Sequence, residues 1–186
     1  MLDLITLNNL NKFELIKDTV IRPLKINKDE TGILVETLRV DWSDVYGDKQ
    51  PFAMQYYSET KSSVARDEKL WHFHPGGQQD RFEVITGSIV VAIGDIREDS
   101  PTKGLLNLFY MDSVIDPYLI VIPKRTLHAF MVTSKTPAVL LNFPTRLYDL
   151  KEEMRIPFSE ANMKVSNGKL FNWNLVRLEL GHKKLE

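Results

Sequence analysis

From Gly32 onward, apolar positions come in short runs rich in β-branched and aromatic residues, parted about every ten positions by Gly, Pro, Asp or Ser clusters. This rhythm predicts strands at Ile33 to Val40, Pro51 to Ser58, Lys69 to His74, Asp80 to Thr86 and Ser88 to Ile93. Four more follow at Leu105 to Tyr110, Tyr118 to Ile122, His128 to Thr133 and Ala138 to Phe143. Turn chemistry supports the divisions, with Pro75-Gly76-Gly77, Thr86-Gly87-Ser88 and Asp116-Pro117 between runs. So many short strands predict an all-β jelly-roll barrel. Ahead of it, Leu4, Leu7, Leu10 and Phe13 recur at intervals of three, which predicts a short helix or arm over Leu2 to Ile16. After Tyr148, Lys151 to Lys164 reads as a helical turn interrupted at Pro157, and Leu170 to Leu180 reads as extended. The expected organisation is a single domain over 1–186, with a core at about 27–148 and a C-terminal extension over 149–186 packed on the barrel.

Composition narrows the function classes. A chain of 186 residues suffices to bury a core without disulfides or structural metal. Lys plus Arg number 24 against 25 Asp plus Glu, so no global field draws the chain to nucleic acid or an anionic membrane. The absence of cysteine excludes disulfide frameworks, thiolate zinc sites and cysteine nucleophiles. The N-terminus carries Asp3 and polar interruptions where a signal peptide needs a basic start and an apolar run, and no apolar stretch is long enough for a spanning helix. A soluble, cytoplasmic protein is expected.

Three of the four histidines fall in one pattern. His72 and His74 lie two apart in a predicted strand and therefore share a face, with Trp71 and Phe73 on the other. Asp80 opens the returning strand, and His128 follows the Pro123-led turn. Three imidazoles and a carboxylate suit one divalent metal ion, with Fe, Mn, Ni, Zn and Cu all open. A histidine that binds metal is not free to remove a proton, so His72 serves as base or as ligand. If it is a ligand, Tyr56, Glu83 or metal-bound water remain as bases. Lys124 and Arg125 suit a phosphate or an ordinary surface turn, Glu98 and Asp99 a solvated turn, and His182 an exposed tail.

His72, His74, Asp80, Gly87, Pro123 and His128 together resemble the two-part cupin motif, with Asp80 standing for the usual Glu and Arg125 for a Gly. A longer resemblance, over about Asn27 to Tyr148, is to the dTDP-4-dehydrorhamnose 3,5-epimerases, cupin-fold enzymes that work without metal. It rests on Asp29-Glu30-Thr31-Gly32 with Val35-Glu36-Thr37, on Leu70-Trp71-His72-Phe73, on Gly94 to Gly104 and on Leu127-His128-Ala129-Phe130. The resemblance implies His72 as the catalytic base with His128 beside it in the cavity, and Lys69, Arg97, Glu36 and Asn142 in contact with a nucleotide sugar. It also implies a homodimer in which an early strand crosses to the neighbour. The sequence departs from the family where charge matters. The lysine that steadies the enolate becomes Asp80, the acid tyrosine becomes Asn142, an arginine becomes Lys69 and another becomes Thr31, while the carboxylate that orients the histidine corresponds to the region around Pro157 to Glu160. Two negative charges about 4 Å apart repel by roughly 4 kcal/mol at an effective dielectric near 20, so Asp80 alone opposes an enolate. A metal ion on His72, His74, Asp80 and His128 reverses that sign. The leading expectation is an epimerase or isomerase acting beside a keto group with metal assistance. A metal-dependent oxygenase or hydrolase, and a non-catalytic binding cupin, are the alternatives.

Overall fold

The structure, a computed structural model, describes residues 2–46 and 53–181. In chain order the strands are β1 (Leu4–Ile5), β2 (Val20–Pro23), β3 (Ile26–Asp29), β4 (Gly32–Val35), β5 (Tyr56–Thr60), β6 (Ala65–Arg66) and β7 (Leu70–Phe73). They continue as β8 (Asp80–Thr86), β9 (Ser88–Gly94), β10 (Leu106–Asp112), β11 (Tyr118–Ile122), β12 (Leu127–Val132), β13 (Ala138–Asn142) and β14 (Met154–Pro157). Two short helices follow, α1 (Phe158–Ala161) and α2 (Trp173–Glu179).

A seven-stranded sheet runs β1-β10-β9-β12-β7-β14, with β6 also paired to β12, and a five-stranded sheet runs β2-β11-β8-β13-β5. The expected jelly-roll barrel is therefore observed. Strand alternation builds its interior: Ile89, Val91 and Ile93 of β9 meet Phe82 and Val84 of β8 and Ile120 of β11 in one buried cluster. The other face of the larger sheet is buried too, because Val90 and Ala92 pack with Trp71, Phe158, Phe171, Trp173 and Val176. Covering on both sides explains why β9 is a continuous apolar run rather than an alternating one.

Several expected elements take another form. The Leu2 to Ile16 segment is not a helix: Leu4–Ile5 pairs in parallel with β10, and only Leu10–Lys12 makes a 3-10 turn. The spacing of three reflects Ile5 and Ile16 being buried by the barrel while Leu7, Leu10 and Phe13 pack against the same cluster. The strand expected at Ile33 to Val40 ends at Val35, forming with β3 a hairpin outside both large sheets. Leu170 to Leu180 is not extended, since Trp173–Glu179 is helical with Trp173, Val176 and Arg177 turned inward. Part of the strand expected at Pro51 to Ser58, and His182, lie outside the described residues; Tyr56–Thr60 forms β5.

Candidate active site

His72 on β7 and His128 on β12 are direct register partners. Period-two geometry puts His74 beside His72, so the three rings converge, with centroids 4.5 Å apart for His72 and His74, 4.9 Å for His72 and His128, and 5.6 Å for His74 and His128. One nitrogen from each lies within 4.8 Å of the others. Asp80 enters from the opposite sheet as the first residue of β8, its Oδ2 3.4 Å from His74 Nε2 and 3.8 Å from His128 Nε2. Two atoms bound tetrahedrally at about 2.1 Å to one ion stand about 3.4 Å apart, a separation that Asp80 Oδ2 has toward His74 and approaches toward His128.

The site is buried, and hydrogen bonds orient its side chains. Asp80, His128 and Asn142 are almost fully buried. His74 Nδ1 meets the carbonyl of Glu152 at 3.2 Å, which leaves Nε2 facing the cavity side toward Asp80. Gln78 Nε2 donates to Asp80 Oδ1 at 2.9 Å and also reaches His74 Nε2. Asn142 accepts the backbone N–H of Arg81 at Oδ1, so its Nδ2 must donate, and it does so to Asp80 Oδ1 at 2.7 Å and to the Tyr56 hydroxyl at 2.8 Å.

Charge follows from this packing. Burial alone disfavours ionised Asp80, but the contact with His74 and the nearby His128 hold its carboxyl well below the usual carboxylate range. Burial works against protonating His74, yet Asp80 raises its pKa above the ordinary histidine value. Burial, then His74, depresses His72, and burial depresses His128 to about 3, so both imidazoles are neutral at pH 7.

A residue that sequence reasoning missed stands against the base candidate. Glu153 Oε1 lies 3.0 Å from His72 Nε2, a close contact without a directed hydrogen bond. Strand β14 adds to the free edge of β7 with Arg155 opposite His72, which brings Glu153 to the ring, and Arg155 holds the carboxylate at 3.0 Å. The region around Pro157 to Glu160 instead forms the entry to α1. Only the acidic pair Glu152-Glu153 marked this position in sequence, and nothing there revealed a strand.

His72, His128, Tyr56, Phe82 and Arg155 line a cavity of about 170 Å³ between the sheets. Other expected contacts lie elsewhere. Lys69 is one residue out of phase with Leu70 and His72, so it lies with Trp71's side of the sheet, beside Phe158 and Trp173. Glu36 is exposed and paired to Arg39 at 2.6 Å. Arg97 is clamped by Asp95 and Asp18 and lines a separate polar recess of about 450 Å³ with Lys124 and Arg125. Glu83 faces away from the cavity, opposite Leu119 and Leu141, and is no candidate base. Arg125, standing where the cupin pattern has Gly, takes φ 57°, the left-handed conformation that glycine adopts without strain.

Residues 14–180 match the family model described as dTDP-4-dehydrorhamnose 3,5-epimerase. A curated relative from Haloferax volcanii, described as a probable low-salt glycan biosynthesis epimerase, Agl13, is 41% identical over 145 residues, covering 77% of this chain and 88% of that protein. The crystal structure of a dTDP sugar isomerase from Desulfovibrio desulfuricans G20 superposes with a TM-score of 0.72 at 24% identity, over 86% of this chain and 92% of the other. That of RmlC from Legionella pneumophila, bound to dTDP-4-keto-L-rhamnose, superposes with a TM-score of 0.70 at 21% identity, over 93% and 97%. At these identities the two structures establish the cupin fold of this chain.

Proposed function

The chain belongs to the dTDP-4-dehydrorhamnose 3,5-epimerase family of sugar-nucleotide epimerases, and from that premise we propose that it epimerises a dTDP-linked 4-keto-6-deoxyhexose at a carbon beside the keto group. The observation that carries this reading is neutral His72 at the cavity wall with Glu153 against its ring. Removing the carbon-bound proton makes an imidazolium, and the Glu153 carboxylate, 3.0 Å from the ring, stabilises that charge. The enolate oxygen then needs a positive partner, where the family has lysine and this chain has Asp80.

Of the two roles open to His72, base or metal ligand, we assign it the first. Glu153 stands against His72, whereas Asp80 Oδ2 reaches both other rings, 3.4 Å from His74 Nε2 and 3.8 Å from His128 Nε2. We assign to these three a divalent cation, which when bound supplies the Lewis-acidic charge that the lysine supplies in the family. His74 fits this role because its Nδ1 is engaged by Glu152 and its Nε2 is not turned away. Elemental analysis of purified protein, with turnover of a dTDP-4-keto-6-deoxyhexose followed by NMR, tests the assignment. Metal near one equivalent per chain, lost in Asp80→Asn and His74→Ala but retained in His72→Asn, is expected. A fully active protein without metal refutes the cation, and absence of any epimer refutes the activity.

The same reading includes a cytoplasmic location and a homodimer. Among the described residues, no helix is long and apolar enough to cross a membrane. The β3–β4 hairpin stands apart from both sheets and exposes Ile33 and Leu34, as an element that crosses to a second copy must. Light scattering at the monomer mass refutes the dimer.

A further inference from the structure

Inverting a carbon centre needs two groups on opposite faces, one to take the proton and one to return it. His72 is on β7 of the larger sheet, so the second group must come from the five-stranded sheet across the cavity. The position where the family carries its acid tyrosine holds Asn142, whose amide has no proton to give at neutral pH.

Asn142 does, however, face another phenol. Its register partner on the edge strand β5 is Tyr56. Tyr56 and Ser58 line the cavity together with His72 and His128, so this face of β5 borders it, with Tyr56 partly open to solvent. The direction of the hydrogen bond is set by the backbone: the Arg81 N–H binds Asn142 Oδ1, so Nδ2 donates to the Tyr56 oxygen at 2.8 Å. The phenol is therefore an acceptor in that bond, and its own proton remains available to the cavity. The same amide N–H stands ready to stabilise the phenolate left after donation.

Resting on the epimerase reading, we propose that Tyr56 is the catalytic acid, the role having moved one strand sideways from the position of Asn142 to its hydrogen-bonded partner. Neutral His72 removes the proton from the carbon beside the keto group, leaving its electron pair in the enolate. The electrons return to that carbon as Tyr56 delivers its phenolic proton to the opposite face. The imidazolium then loses its proton and the phenolate regains one by exchange with solvent, so the site resets without an oxidant, reductant or co-substrate. Asn142 acts as a positioning residue that aims the phenol.

The test is turnover of a dTDP-4-keto-6-deoxyhexose in D₂O by wild type and Tyr56→Phe, with NMR reading deuterium at the carbons beside the keto group separately from epimer formation. Binding of dTDP by calorimetry shows that the variant is folded. The expected result is epimer formation at least about 100-fold slower in Tyr56→Phe, with deuterium still entering substrate of unchanged configuration, because His72 removes and returns protons on its own face. Epimer formation within about threefold of wild type overturns the assignment of Tyr56 alone. Loss of exchange together with epimer in a variant that still binds dTDP also overturns it, by placing Tyr56 at proton removal. Wild type that binds dTDP but exchanges no deuterium overturns the epimerase reading itself.

Discussion

Replacing Glu83 with Gln is expected to stabilise the chain at neutral pH by an amount set by where strand alternation puts this carboxyl. Asp80 and Phe82 of β8 face the cavity, whereas Glu83 faces outward between Leu119 and Leu141, almost fully buried, and its Oε2 has no hydrogen-bond partner among the described residues. Burial pushes its pKa from 4.5 up to about 8. The unfolded chain therefore ionises at a pH where the fold still requires the proton. Stability from the neutral carboxyl is full below pH 4.5 and is lost as pH rises toward 8. Each pH unit in that window costs about 1.4 kcal/mol, which makes roughly 3 kcal/mol by pH 7. Gln has no proton to acquire, so the difference between variant and wild type should be near zero at pH 4.5 and about 3 kcal/mol at pH 7. It should level off near 5 kcal/mol above pH 8. Urea denaturation of both proteins across this range measures the difference directly, and titrations common to both cancel. A difference independent of pH would refute the argument, showing that Glu83 is ionised or partnered in the fold.

Other outcomes follow from the placement of single side chains. Lys69→Ala should leave kcat/KM within about threefold of wild type, because Lys69 lies on the face of β7 opposite the cavity; a KM rise of an order of magnitude contradicts that placement. Glu153→Gln should lower the rate of substrate deuterium exchange by about 100-fold with little change in dTDP binding, and stopped NMR time courses beside calorimetry check the split.

The histidine cluster was legible because it needs only strand periodicity and one barrel closure. His72 and His74 share a face by arithmetic, and the Pro123 turn delivers His128 to the register position opposite His72. The same arithmetic puts Lys69 on the opposite side of the sheet, beside Phe158 and Trp173, whereas the resemblance gave it a substrate contact. Glu153 was not legible. The strand that follows it, β14, is four residues long, rich in neither β-branched nor aromatic side chains, and pairs along the edge of β7. The Asn142–Tyr56 pair likewise depends on the register of β13 against β5, which is a non-local pairing that no nearby sequence pattern announces. At the C-terminus, Phe171, Trp173 and Val176 are buried by the outer face of the larger sheet, and a segment read as extended from its apolar residues is wound into a helix by that contact.

The proposed proton removal by His72 is the step on which the epimerase reading depends. Wild type and His72→Asn, both shown to bind dTDP, should be incubated with a dTDP-4-keto-6-deoxyhexose in D₂O and followed by NMR. Deuterium should enter the carbons beside the keto group with wild type, and at least about 1000-fold more slowly with His72→Asn. Equal incorporation by the two proteins would contradict the account.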